Sequence, residues 1–70
     1  MKTVMIKDKE VKLGDWVGFK CDIEQYGKVI DINSDVFGDE VKLENLNGFD
    51  GHYIGGDTVT WIDADRCWPE

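Results

Sequence analysis

Several residue types that enzymes and metalloproteins depend on are scarce in this sequence. It has one histidine and two cysteines, Cys21 and Cys67, and it lacks both the Cys-x-x-Cys pair and the paired histidines of a closed zinc site. A Cys–His nucleophile would also need an orienting group and an oxyanion hole, which no motif supplies. We therefore expect no enzymatic activity, no metal and no cofactor.

Long apolar runs are also missing. Charges interrupt residues 1–13, so no signal peptide is expected, and no window approaches the roughly 20 apolar residues of a membrane span. We expect a cytoplasmic protein with no membrane segment. Its two cysteines are predicted to be reduced thiols, with a disulfide between them as the alternative.

Two stretches imitate ligand loops without meeting their requirements. Residues 31–40, "DINSDVFGDE", begin like a calcium loop, but Val36 stands where glycine is needed and Lys42 where a bidentate glutamate belongs. The glycine-rich stretch 47–57 lacks the Gly-Lys-Ser/Thr ending of a phosphate-binding loop. The first stretch is predicted to be a solvated turn and the second a contact loop.

Basic residues are few in the second half of the chain. The net charge is -7, with +1 carried by residues 1–30 and -8 by residues 31–70. Because nucleic-acid affinity depends on Lys and Arg, nucleic acid is a disfavoured partner. A basic protein is favoured, including one whose own site holds nucleic acid, and charge that serves only solubility is the alternative.

Short apolar runs separated by Gly, Asn and Asp predict a single all-β domain over residues 1–70. No stretch longer than about ten residues keeps a helical period. We expect five strands in a small closed or half-open barrel, with a short 3-10 or helical turn in "DADRC" near the C-terminus. So thin a core leaves a homodimer possible.

Alternation predicts which side chains face the core. Val17, Phe19 and Cys21 share one face of a strand over residues 16–21, and Val41 and Leu43 point inward from a later strand.

Turn residues predict where the chain reverses. "EQYG" at 24–27 is expected to connect the strand 16–21 to a strand at 28–32, and 33–40 is expected to be a loop around Phe37. Gln25 is assigned to the surface.

Eight aromatic residues exceed what a thin core needs. Those of the loop 47–57 are expected to form a contact surface, and alternation places Trp61 opposite Ile62, so that one of them must be partly exposed. Tryptophans that cap an open barrel end are the alternative. The predicted protein-binding residues are Phe49, His52, Tyr53, Ile54, Asp57, Trp61, Trp16 and Tyr26.

The segments "VKLGDWVGF", "YGKVIDI", "VKLENLNG" and "TVTWIDADRCW" resemble the arrangement of SH3-like barrels of the KOW and Tudor kind over residues 11–68. The wording "GDWVGFKCDIEQYG", "GFDGHYIGG" and "RCW" is also similar to short uncharacterised proteins of tailed bacteriophages. The first resemblance implies a barrel that contacts RNA or the transcription machinery, and the second implies an accessory protein in the host cytoplasm.

These observations predict a noncatalytic protein-binding module, of the phage accessory type, that engages a basic host or phage protein through an acidic surface. Inhibition of a protein that handles nucleic acid is the concrete form of this hypothesis. The alternative is a KOW-like nucleic-acid module that uses the N-terminal lysines, which are Lys2, Lys7, Lys9, Lys12, Lys20 and Lys28.

Overall fold

The computed structural model describes residues 2–21, 23–51 and 54–70. In these ranges the chain forms seven strands in two antiparallel sheets, one 3-10 turn and no α-helix. The elements are β1 (Thr3–Ile6), β2 (Lys9–Lys12), β3 (Trp16–Cys21), β4 (Ile23–Asp35), β5 (Gly38–Glu44), β6 (Val59–Asp63), the 3-10 turn (Ala64–Arg66) and β7 (Cys67–Pro69). The predicted all-β class and the short turn near the C-terminus are confirmed.

The predicted five strands are too few, since the described residues form seven, and the first two pair in a separate hairpin. Ile6 pairs with Lys9, and the intervening Lys7 and Asp8 have φ angles of 51° and 68°. Two positive φ angles are typical of a type I′ turn, which matches the twist of paired strands. Lys7 and Asp8 therefore form the turn that connects β1 to β2.

The remaining strands form one sheet in the order β6-β5-β4-β3-β7. This sheet is open, with β6 and β7 at its edges, and in the ranges described no ladder joins those two strands. A closed five-stranded barrel is thus not confirmed. No helix in the described residues has the length and apolar character needed to cross a membrane.

The core lies between the hairpin β1–β2 and the larger sheet. Val17, Phe19, Val41 and Leu43 are each fully buried, as the alternation predicted, while the side chain of Cys21 lies outside the described part. Burying one such apolar side chain stabilises a fold by about 1.5–3 kcal/mol. The small sheet covers this core with Val4, Ile6 and Val11.

The predicted turn at 24–27 is wrong. The β3–β4 ladder continues until Cys21 faces Ile23, and Gly27 lies inside β4 opposite Val17. A Cβ atom at Gly27 would lie 2.7 Å from the Cβ of Leu43. Glycine is therefore needed there for close packing between strands, not for reversing the chain.

The predicted loop at 33–40 is also wrong, because most of it is strand. β4 runs to Asp35 and β5 starts at Gly38, which leaves only Val36 and Phe37 to form the tip of the hairpin. Asn, Ser and Asp are weak strand formers, but pairing with a neighbouring strand overrides that preference. The hairpin formed by β4 and β5 consequently extends to a narrow tip.

Candidate functional site

The loop 47–57, predicted as the main contact surface, is tied to the core. Phe49 is buried, and its ring meets that of Phe19 edge to face, with 5.5 Å between centroids. Ile54 packs against the core, whereas Asp57 is exposed. His52 and Tyr53 lie outside the described residues. Burial of Phe49 removes its ring from any surface that a partner can reach.

A buried amide that the sequence analysis assigned to the surface holds this loop. Gln25 donates from Nε2 to the carbonyl oxygen of Asp50, and its Oε1 accepts from the backbone N–H of Asp50 at 2.7 Å. Gln25 is 7% exposed. A buried amide with both ends satisfied stabilises one loop conformation, because leaving either group unpaired costs free energy.

Trp16 and Tyr26 are both exposed on the outer face of the larger sheet. They flank Gly18, which pairs with Tyr26 on one side and with Trp68 on the other. A Cβ atom at Gly18 would overlap the indole of Trp68, so that ring lies directly over the glycine. These aromatic residues form a small outward-facing cluster on β3, β4 and β7.

Trp61 lies apart from that cluster, on the edge strand β6, and it is 42% exposed. Ile62 packs against the core instead, which confirms that one of these two neighbouring side chains is exposed. The Nζ atom of Lys42 lies 6.0 Å from the centroid of the Trp61 ring, at the outer limit of a cation–π contact. The predicted binding residues are thus spread over several parts of the molecule.

A groove that the sequence analysis did not identify lies beside the tip of the β4–β5 hairpin. It has a volume of about 470 Å³ and is formed by the end of β1, the hairpin tip and the start of the 3-10 turn. Five carboxylates line it, together with Met5, Lys7 and Phe37. The five acidic residues, which we call the groove carboxylates, are Asp35, Asp39, Glu40, Asp63 and Asp65.

Although Lys7 lines the same groove, none of the groove carboxylates forms an ion pair within the described part of the chain. The ion pairs found there join Lys2 to Asp31 at 2.8 Å and Lys12 to Asp15 at 3.8 Å. The hydrogen bond from Lys2 is the main reason why the pKa of Asp31 is lowered. Asp15 and Asp31, which lie outside the groove, thus have ion-pair partners that the groove carboxylates lack.

Two groove carboxylates also belong to paired residues on neighbouring strands. Glu40 lies directly opposite Asp63 in the β5–β6 ladder, and like charges in such positions destabilise a sheet. Asn33 donates a hydrogen bond from Nδ2 to Oε1 of Glu40 at 3.2 Å. One neutral amide offsets little of this repulsion, so the arrangement costs stability.

The apolar side chains beside these carboxylates are strongly exposed to solvent. Val36 is 93% exposed and Phe37 is 95% exposed, and Met5 across the groove is 60% exposed. The Oδ1 atom of Asp35 accepts a hydrogen bond from the N–H of Phe37 at 2.8 Å. The tip therefore has a defined backbone although its side chains pack against little.

The calcium-like pattern at 31–40 has no loop to hold an ion. Asp31, Asn33 and Asp35 follow one another along strand β4, whereas a calcium loop curls its ligands around one point. In the described part of the chain, no three His, Cys, Asp or Glu residues form a group that could bind a metal.

Cys67 is a free thiol and is fully buried. Burial raises its pKa to about 11, and Sγ contacts the carbonyl oxygen of Asp63 at 3.5 Å. The thiol is therefore protonated at neutral pH, unlike a reactive cysteine, whose pKa is lowered.

The lysines considered for nucleic-acid binding are dispersed among acidic residues. Lys2 and Lys12 are ion-paired, and Lys7 lines the acidic groove. Lys9 borders a smaller depression that also contains Glu10, Asp15 and Glu70. A continuous basic stripe, which binding to a phosphate backbone requires, is not formed by these residues.

The groove was missed because its parts are far apart in the sequence, at residues 5–7, 35–40 and 63–65. One signal was available, since Val36 and Phe37 stand between acidic and turn-forming residues, where no packing partner is expected.

Searches of protein-family models, curated proteins and solved structures found no match to this chain.

Proposed function

We propose that this chain is a noncatalytic protein-binding module that engages a basic protein through its acidic groove. The observation that carries the proposal is the set of five groove carboxylates without an ion-pair partner among the described residues. Clustered like charges cost stability, and such costs are expected at functional sites. A partner that brings Lys or Arg side chains would relieve the repulsion.

The proposal has a finer form, which the sequence resemblance supports. In it, the two sheets belong to an SH3-like barrel of the KOW or Tudor kind, and the chain is a phage-type accessory protein of the host cytoplasm. Its target is a protein that handles nucleic acid, because a row of carboxylates presents the charge that such a protein normally meets in phosphates.

The test compares two variants that lose the same charge. The groove variant carries Asp35→Asn, Asp39→Asn and Glu40→Gln, and the control variant carries Glu10→Gln, Glu24→Gln and Asp50→Asn. Each tagged protein is used to capture partners from bacterial lysate with and without nuclease treatment, and the bound proteins are identified by mass.

We expect a basic protein to be retained by the wild type and by the control variant but lost with the groove variant. Its retention should also fall between about 50 and 300 mM salt, because screening weakens exposed charge contacts. Equal retention by the two variants, or binding insensitive to salt, would contradict the proposal. Retention that requires untreated lysate would favour a nucleic-acid module instead.

A further inference from the structure

The strongest unused feature of the molecule is the apolar tip of the β4–β5 hairpin. Tight hairpin tips usually carry Asn, Gly or Asp, which satisfy the backbone of the turn. Here the residues on either side of the tip stabilise the turn. Asp35 accepts a hydrogen bond from the N–H of Phe37, and Gly38 has a φ of 127°. Valine and phenylalanine are therefore not needed to form the turn.

These two side chains contribute almost nothing to the core, because Val36 is 93% exposed and Phe37 is 95% exposed. Large apolar side chains that are exposed next to one another are a feature of binding surfaces, and Met5, 60% exposed, lines the same groove as Phe37. The ladder continues to Asp35 and Gly38, directly below the tip. A backbone fixed in this way loses little conformational entropy when a partner binds.

The surroundings of Phe37 define the chemistry of the partner. Phe37 lines the same groove as Met5 and the groove carboxylates, so apolar surface and unpaired negative charge meet in one place. A nucleic acid would bring phosphates and is repelled, and the net charge of -7 disfavours a second copy of the chain in the same way. A polypeptide segment with cations on either side of an apolar side chain matches both features.

We propose that the groove binds an extended basic segment of another protein, and that a bulky apolar side chain of this segment packs between Phe37 and Met5. The inference rests on the proposed function and adds a requirement to it, namely one apolar residue among the lysines and arginines. The groove volume of about 470 Å³ lies within the usual range for binding pockets and has room for only a few side chains.

The test uses two synthetic, fluorescently labelled peptides of about seven residues, which span about 23 Å when extended. Both consist of lysines and arginines, and the central residue is leucine in one and glycine in the other. Affinities are measured by fluorescence anisotropy for the wild type, for Phe37→Ala and for the control Leu46→Ala. Leu46 is 82% exposed and does not line the groove, so it matches Phe37 in exposure.

We expect the leucine peptide to bind the wild type about tenfold more tightly than the glycine peptide, which corresponds to about 1.4 kcal/mol. Phe37→Ala should remove this difference, and Leu46→Ala should preserve it. Both variants should remain folded, because neither side chain belongs to the core. Neutralising Asp35, Asp39 and Glu40 should weaken both peptides.

Equal affinities of the two peptides for the wild type, or equal effects of the two variants, would overturn this inference and leave charge-driven binding in place. If neither peptide binds while the groove still captures a basic protein from lysate, the extended segment is wrong and the proposed function stands. If groove-dependent capture fails as well, both proposals are overturned.

Discussion

The tip of the β4–β5 hairpin and the loop 47–57 each place one phenylalanine among Gly, Asn and Asp, and the fold uses the two rings in opposite ways. Phe49 is 1% exposed and packs against Phe19, whereas Phe37 is 95% exposed and lines an acidic groove. One ring stabilises the fold and the other is available to a partner. Local composition therefore does not distinguish a core anchor from a binding residue.

The difference comes from contacts made far along the chain. The loop is held by Gln25, which pairs with both backbone groups of Asp50, and by the ring of Phe49, which packs against that of Phe19. At the hairpin tip, by contrast, the contacts among the described residues are local, namely the hydrogen bond from Phe37 to Asp35 and the pairing of Asp35 with Gly38. Long-range contacts bury the first region and leave the second exposed.

The largest expected effect is the contrast between truncating the two rings. Phe49→Ala should reduce the free energy of unfolding by about 3–5 kcal/mol, because it leaves a cavity beside Phe19. Phe37→Ala should change it by less than about 0.5 kcal/mol, since the ring is in water. Urea unfolding of both variants measures the difference, and similar losses would contradict the assignment of the two regions.

The next effect concerns the amide that holds the loop. Gln25→Ala leaves the backbone N–H and carbonyl of Asp50 without their partner, so we expect a loss of about 1–3 kcal/mol. Amide hydrogen exchange at Asp50 should accelerate while exchange at the hairpin tip is unchanged. Acceleration at both places would show that the two regions are not independent.

A dependence of stability on pH is expected from the thiol of Cys67, which contacts the carbonyl oxygen of Asp63. The pKa of Cys67 is raised to about 11 by burial, so the unfolded thiol ionises first as the pH increases. The contribution of this thiol to the free energy of unfolding is complete below about pH 9 and is lost between pH 9 and 11. The free energy of unfolding then falls by at most about 1.4 kcal/mol per pH unit.

The control for this titration is Cys67→Ala, which removes the ionising group. Denaturant unfolding at several pH values should show a smaller decline above pH 9 for the variant than for the wild type. Parallel declines would mean that other groups cause the alkaline loss of stability.

The smallest expected effect is the difference in unfolding free energy between neutralising Glu40 and neutralising Glu24, which have cross-strand neighbours of opposite charge. Glu40 lies opposite Asp63, and Glu24 lies opposite Lys20. Glu40→Gln should raise the free energy of unfolding by about 0.2–1 kcal/mol, while Glu24→Gln should lower it slightly. Glutamine retains the Oε1 acceptor for Asn33, so the comparison isolates the charge.

Thermal unfolding at low salt measures these two effects, and added salt should reduce both. Stabilisation by Glu40→Gln together with weaker partner binding would link the instability of the groove to its function. No stabilisation would mean that the groove carboxylates do not repel one another appreciably.

The period-two alternation was enough to predict the β class and the inward positions of Val41 and Leu43, because that pattern is local. The role of Gly27 could not be predicted in the same way, since the atom that excludes a side chain there belongs to Leu43 on another strand. Glycine is a signal both for turns and for close packing, and only the paired neighbour decides between them.

The negative charge of the candidate site could be predicted from the sequence, but its location in the fold could not. The -8 charge of residues 31–70 indicated an acidic surface. Its concentration beside Phe37 depends on the β1–β2 hairpin and the 3-10 turn meeting at the tip of β4 and β5. Such a meeting of distant segments leaves no continuous motif in the sequence.

The most direct test of the central claim is an NMR titration of the isotopically labelled protein with the leucine-centred basic peptide. The account predicts that backbone amide shifts change at residues 35–40 and 63–65 and around Lys7, and that they do not change at Asp57 or on the Trp16 and Tyr26 face. Shift changes confined to the loop 47–57 or to that aromatic face, with the groove unaffected, would contradict it.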